Sequence, residues 1–445
     1  MAVLMIRVLF AASIVLFSLS RPGLSGTPNI VLIVADDLGY GDLGCYGSQT
    51  NPTPNIDSLA RSGVRFTDFH SSGPMCTPTR VSILTGLYQQ RFGPTFDGPL
   101  AGDTQRRHGL PHSATTVAEI LKQNDYATAC FGKWHLGFQP PYLPTNQGFD
   151  EFRGLAAGDG DHHSHIDRYG NEDWWHNDKV EMESGYTADL LTKYSIDFIE
   201  QHRDEPFFLY VPHLAIHFPW QGPNDPPQRV KGQDYRLDKW GIIPDRNNVH
   251  RHVNEMISAI DRSTGRIVET LERLKLRKQT LVIFTSDNGG YLNYGNQFRN
   301  ISSNGELRGQ KGTLYEGGHR VPLIVSCRGS IEPAESDALT HSNDLLPTIA
   351  SFAGLDVTRL RTDGHDLSSL LLDDQPLDER TLFWRAGDDW AIRKGPWKLV
   401  SEQGGRELFH LHHDVREMKD VSTQNSVLVE QLTETWQQWN KTMPE

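Results

Sequence analysis

Cysteine is scarce in this chain of 445 residues, with four in all, at positions 45, 76, 130 and 327. No C-x-x-C spacing joins them, which excludes a zinc ribbon, and so few thiols in so long a chain exclude a disulfide scaffold. If one does chemistry, the remaining three allow a single disulfide at most. Positive charge is also short: 43 Lys and Arg stand against 56 Asp and Glu, a net −13. That balance speaks against non-specific nucleic-acid binding, so no nucleic-acid partner is expected. It also means that a polyanionic substrate must be held by local cations against a repulsive background. Repeats and low-complexity tracts are absent. Beyond the first twenty residues no apolar run is long enough to cross a bilayer, so no integral membrane segment is expected after the leader.

What is present is an ordinary globular composition, 37% hydrophobic and 22% charged, with ample core for one large α/β domain or for two domains. The N-terminal stretch MAVLMIRVLFAASIVLFSLS carries one cation, Arg7, then an apolar run from Val8 to Leu19, with small residues at Ser20, Gly23 and Ser25. The run is too short for an anchor and no stop-transfer charges follow it. Residues 1–25 therefore read as an export signal, and the mature protein as secreted or periplasmic.

NIVLIVADD (29–37) is a continuous apolar run ending in acids, the pattern of a strand buried on both faces. LVIFTSDN (281–288) repeats it, and PFFLYVPH (206–213) and VPLIVSC (321–327) read as further core strands. Helical patterns lie between them, at 113–123 and 254–274. Strands alternating with helices predict a doubly wound sheet with ligands outside the carboxyl ends of its strands. The texture changes after 344–355: 382–400 and 406–414 read as short strands with turns, and 427–442 as a closing helix. A catalytic domain over 26–349 and a smaller C-terminal α+β domain over 350–445, with an antiparallel sheet, are expected.

Several clusters on this frame can carry chemistry. In PMCTPTRVSILTGLYQQ (74–90), Thr77 as N-cap and Pro78 as first residue predict a helix running to Gly86. Cys76 then sits at its positive end, beside Arg80 four residues on. Asp36 and Asp37 finish one core strand, and Gly39 and Gly41 permit the turn that would aim both at one point. Asp287 and Asn288 finish another, ahead of Gly289 and Gly290. Three carboxylates and an amide carbonyl gathered at strand ends repel one another unless a cation sits among them, and all-oxygen donors suit Ca²⁺ or Mg²⁺. GKWHLG offers Lys133 and His135, HLAIHFPW offers His213 and His217, and GQKGTLYEGGHRVP offers Lys311 in a Gly-rich loop. DGDHHSHID (159–167) is dense in histidine.

In order along the chain these stretches resemble the type I sulfatases. CTPTRVSILTG is similar to the signature C-x-P-x-R…TG, in which the cysteine is oxidised to Cα-formylglycine. ADDLGYGDLGCYG, GKWHLG, the H-x-P step at His217, SDNGG and KGTLYEGGHRVP fall in family order, and the resemblance extends from residue 28 to about 415.

The resemblance implies an alkaline-phosphatase-like α/β fold with a large mixed sheet. It implies Asp36, Asp37, Asp287 and Asn288 as protein ligands of Ca²⁺, with residue 76 completing the site. Arg80 and Lys133 would steady the formylglycine, whose hydrate attacks sulfur in line through one hydroxyl. Lys311 and His217 would bind the sulfate oxygens, His217 would protonate the departing alcohol, and His135 would take the proton of the second hydroxyl as sulfate is expelled. Relatives often carry a serine near the site between residues 154 and 165, where this chain has GLAAGDGDHHSH. Asp159, His162, His163 and His165 are the candidate substrate contacts there.

Export, the acidic background and that polar loop point to a sulfated carbohydrate as substrate, with a formylglycine-generating enzyme as the maturation partner. Two alternatives follow from the same residues. One is a phosphonate or phosphate ester hydrolase on the same fold. The other is a non-catalytic sulfated-glycan-binding protein, if Cys76 stays unoxidised.

Overall fold

The computed structural model describes residues 27–240, 248–295 and 297–444. The leader read at residues 1–25 lies outside them. Among the described residues no helix is long and apolar enough to cross a membrane.

The expected core strands form as Asn29–Ala35, Phe207–Pro212, Thr280–Ser286 and Leu323–Ser326, and every residue of all four is buried. They belong to a ten-stranded mixed sheet. Its order is Ala334–Ser336, Val64–Phe66, Leu323–Ser326, Thr280–Ser286, Asn29–Ala35, Phe207–Pro212, Ala127–Lys133, Glu151–Leu155, Trp175–His176 and Lys179–Val180. The five strands from Thr280–Ser286 to Glu151–Leu155 run parallel. Leu323–Ser326 runs antiparallel to them, so its N-terminal end lies beside their carboxyl ends.

Helices cover both faces, as alternating residues of Asn29–Ala35 show. Val31 and Ile33 pack with Ile56, Leu191, Val253 and Ile260, from the helices Pro54–Arg61, Thr187–Gln201 and Val249–Arg273. Ile30, Leu32 and Val34 pack with Val81, Leu84, Leu121 and Ile349, from Cys76–Thr85, Val117–Lys122 and Leu345–Phe352. Burial on both faces explains why the strands read as unbroken apolar runs rather than as alternation.

The helix expected over 113–123 forms only as Val117–Lys122. Thr116 caps it, accepting from the Glu119 N–H while the Glu119 carboxylate accepts from the Thr116 N–H. A separate antiparallel sheet, Thr381–Ala386, Asp389–Lys394, Trp397–Glu402 and Gly405–His410, follows, and the helix Ser426–Asn440 packs Leu432 and Trp436 on one face of it. Leu314, from the segment that leads to Leu323–Ser326 of the large sheet, packs on its other face.

Candidate active site

The carboxyl ends of the five parallel strands supply the site. Ala35 and Ser286 are register partners, so Asp36 and Asp287, one residue beyond each, emerge side by side. Lys133 ends its own strand, and His217 lies five residues past Pro212. Cys76 comes in from the first turn of a helix that is buried along its whole length. Lys311 arrives from the loop before Leu323–Ser326.

Two local expectations are corrected. The helix starts at Cys76 with Met75 at its N-cap, not at Thr77. The Thr77 hydroxyl is used elsewhere: it donates to the His135 carbonyl at 3.1 Å and accepts from the Leu100 N–H at 3.1 Å. Gly86, at φ 66°, ends the helix as expected. The turn that converges Asp36 and Asp37 is made by Asp37 itself, at φ 64°. Gly39 and Gly41 serve close approach instead, because a Cβ on either would come within 2.5 Å of the 303–305 segment.

Three buried ion pairs compose the floor. Lys133 pairs with Asp36, and Lys311 with Asp37. Arg80 donates from Nε and Nη2 to Oδ2 of Asp287 at 3.1 and 2.8 Å, while its Nη1 donates to the Lys133 carbonyl at 2.7 Å. The Cys76 Sγ lies 3.2 Å from Nζ of Lys311 and 3.4 Å from Oδ1 of Asp36. One ligand atom from each of Asp36, Asp37, Cys76 and Asp287 lies within 4.8 Å of the others. Asn288 donates from Nδ2 to Oδ1 of Asp37 at 2.9 Å. That leaves Oδ1 of Asn288 and Oδ2 of Asp37 buried with no hydrogen-bond partner. Orphaned oxygens beside two further buried carboxylates fit a hard divalent cation.

The electrostatics follow from burial. Asp36 is pushed up to about 8 by loss of water and by the neighbouring Asp287 charge. Asp287, although buried, is held below the usual carboxylate range by Arg80, Lys133 and Lys311. The Cys76 thiol rises to about 12 through burial and the Asp36 charge, so an unmodified cysteine here stays protonated at neutral pH. Burial, then the Lys133 charge, holds both His135 and His217 well below the ordinary imidazole value.

Carbonyl partners fix the tautomers of the two rings. His217 donates from Nδ1 to the Phe218 carbonyl at 2.8 Å, which leaves Nε2 facing Oδ2 of Asp37 at 4.0 Å. His135 donates from Nε2 to the Leu100 carbonyl at 3.0 Å, and its buried Nδ1 has no partner.

A cavity of about 270 Å³ opens over this floor, lined by Cys76, His135, His217 and Lys311, and farther out by Asp159, Arg168, Tyr169, Lys239, Tyr291 and Tyr294. Of the four candidate substrate contacts, Asp159 alone lines it. His162 is buried and donates to the His217 carbonyl at 3.1 Å, His163 donates to the Gly222 carbonyl at 3.1 Å, and His165 stacks on Trp174 with ring centroids 4.0 Å apart. These three histidines tie loops together, and burial depresses His162 and His165 to about 4, which keeps both neutral. The sequence reading passed over Arg168, Lys239 and Tyr291. Arg168 directly follows the histidine-rich stretch and Tyr291 directly follows SDNGG, and adjacency was the only signal for either.

All four cysteines are free thiols, so the one disulfide that their number allowed is not made. The sulfatase family profile matches residues 28–355. The chain is 36% identical to human arylsulfatase A over 399 residues, covering 83% of this chain and 74% of that protein. It is 32% identical to mouse N-acetylgalactosamine-6-sulfatase over 400 residues, covering 83% and 71%. Among solved structures, Ps i-CgsB in complex with k-i-k-neocarrahexaose superimposes with a TM-score of 0.80 at 30% identity, over 93% of each chain. An Agrobacterium radiobacter phosphonate monoester hydrolase shares the fold, at a TM-score of 0.62 and 20% identity over 92% of this chain and 94% of that one. A profile match across most of the chain, relatives above 30% identity and a strand-end site of this composition agree, and the chain belongs to the sulfatase family of sulfuric ester hydrolases.

Proposed function

We propose that this enzyme removes sulfate from a sulfated carbohydrate, using a formylglycine made from Cys76 and a Ca²⁺ held by Asp36, Asp37, Asp287, Asn288 and residue 76. The observation that carries the reading is Cys76 on the cavity floor, with Lys311 3.2 Å from its sulfur and three buried aspartates around it. Bound there, the ion supplies positive charge against which a sulfate ester and an ionised hydroxyl are held. Hydrated, the aldehyde at residue 76 offers a hydroxyl toward sulfur; a serine could not turn over, because its sulfate ester has no second hydroxyl to expel sulfate.

The remaining roles belong to the chain's own groups. Arg80 and Lys133 fix Asp287 and Asp36 and so set the position of residue 76. Lys311 reaches a sulfate oxygen lying over that residue. His217, with Nδ1 committed to the Phe218 carbonyl, binds sulfate; the negative charge of a bound sulfate offsets the depression that burial, Lys133 and Lys311 impose, so Nε2 takes up a proton from solvent as substrate binds and gives it to the departing alcohol. His135, with Nε2 committed to Leu100, accepts a proton at Nδ1 when sulfate leaves. The carbohydrate reading is supported by the oligosaccharide in the 30%-identical structure and by three tyrosines along the cavity wall. A formylglycine-generating enzyme is the maturation partner, and export through the leader at 1–25 brings the protein to its substrate.

The test has two parts. A tryptic peptide spanning Cys76 from active protein should react with a hydrazine reagent as an aldehyde, and full activity with only unmodified thiol present would overturn the mechanism. A panel of defined sulfated oligosaccharides, run beside matched phosphate esters, should show sulfate release as the faster reaction.

A further inference from the structure

The outer end of the cavity carries more positive charge than its own acids neutralise. Asp159 is the one carboxylate among the described lining residues, and it is shared. Arg168 donates from Nε to its Oδ1 at 2.9 Å, and the fully buried Arg229 donates from Nη2 to its Oδ2 at 3.2 Å. A third cation, Lys239, lies over the rings of Tyr294 and Trp240, 4.9 and 5.3 Å from their centroids. Among the described lining residues at this end the balance is two cations, Arg168 and Lys239, to one carboxylate, and that carboxylate is shared with Arg229 behind the wall.

The inner end differs, because Arg80, Lys133 and Lys311 each have an aspartate of their own. Cations held among aromatic rings in a cavity lose part of their hydration, and that loss needs an anion to offset it. A neutral leaving group would provide none, and the net −13 of the chain makes a local cationic surplus informative. The carboxylate of Asp159 engages Arg168 through Nε, which leaves the Nη groups for a second bidentate partner. Its guanidinium carbon lies 5.6 Å over the ring of Phe218, the residue that follows the proposed acid His217.

We propose that Arg168 and Lys239 form a second anion subsite on the leaving-group side. It takes a sulfate or carboxylate carried by the sugar being desulfated or by its neighbour, so the preferred substrate is a saccharide with two anionic groups. Asp159 is then a positioning residue for Arg168 and not itself a substrate contact. This inference rests on the reading that the inner end binds the sulfate ester to be cleaved.

The experiment compares pairs of carrageenan and chondroitin disaccharides that differ by one sulfate, at fixed salt. The wild-type enzyme should favour the doubly charged member by about tenfold or more in kcat/KM, the effect of one charge-assisted contact. Lys239→Met and Arg168→Met should each shrink that ratio, and Arg168→Lys should restore part of it. The ratio within one variant is the readout, so a general loss of folding does not imitate the result. Calorimetric affinities on Cys76→Ala protein repeat the comparison without turnover. Tighter binding of the doubly charged member with no sulfate released by active-site-intact protein would uphold the subsite and sink the hydrolytic reading. Equal kcat/KM for both members, or a preference that survives both methionine variants, would overturn the subsite alone.

Discussion

Lys398, on the strand Trp397–Glu402 of the C-terminal sheet, places its ammonium 2.9 Å from Glu316 and 2.9 Å from Glu417 with no exposed surface. Glu316 stands five residues beyond Lys311, where the loop that carries that lysine ends in the short helix Glu316–His319. That loop is gripped at several points: Glu417 accepts from the Glu316 N–H at 2.7 Å, Glu402 accepts from the Leu314 N–H, and the Gly312 N–H donates to the Pro74 carbonyl at 2.9 Å, two residues before Cys76. The C-terminal sheet is therefore the backing of the Lys311 loop.

Removing that cation should be felt at both levels. Lys398→Met leaves two buried carboxylates facing each other, a loss of about 3 kcal/mol or more. Melting temperature and kcat/KM should fall together. The milder Glu402→Gln should keep the fold and lower kcat/KM by loosening Leu314. Wild-type values for both variants in thermal denaturation and aryl sulfate turnover would remove the bracing role.

Chelation should abolish turnover and lower the melting temperature together, because the ion assigned to this site would no longer satisfy the orphaned Oδ2 of Asp37 and Oδ1 of Asn288. Added Ca²⁺ should restore both. Unchanged rate and melting temperature in protein shown metal-free by elemental analysis would refute the ion's assignment.

The two histidines should separate by leaving group. His217→Ala should cost most with sugar sulfates, whose alcohols leave poorly as alkoxides, and least with an activated aryl sulfate. His135→Ala should let the first alcohol go and then stall, giving a rapid-quench burst of about one alcohol per active site. A burst in His217→Ala and none in His135→Ala would reverse the roles.

Acid should unfold the junction between the two sheets. Burial alone would raise Asp68, yet the Arg393 and Arg320 guanidiniums hold it far below the carboxylate range; Arg393 donates to it at 2.6 and 2.7 Å. A carboxylate depressed in the folded state contributes stability above its unfolded value of about 3.9 and loses it as pH falls below that. Asp68→Asn should therefore be less stable at pH 7 and should flatten the decline in melting temperature below about pH 4. Parallel profiles for wild type and variant would show that Asp68 carries no such linkage.

The chain's own pattern determined which strands are central, since apolar runs buried on both faces need no tertiary information to be recognised, and acids at the ends of two such runs named Asp36, Asp37, Asp287 and Asn288. The adjacency of Cys76 and Arg80 in one helical turn was equally local. Tertiary structure decided the rest. Thr77 failed as a cap because its hydroxyl bonds a carbonyl 58 residues away. The histidines at 162, 163 and 165 read as a polar surface loop, but packing against Tyr186 and Trp174 turned them into supports. Arg168 and Lys239 come from irregular segments with no period to read, and only the fold sets a guanidinium and an ammonium at one cavity mouth. Residue type and strand periodicity are local properties; the charge balance of a cavity depends on which distant side chains share its walls.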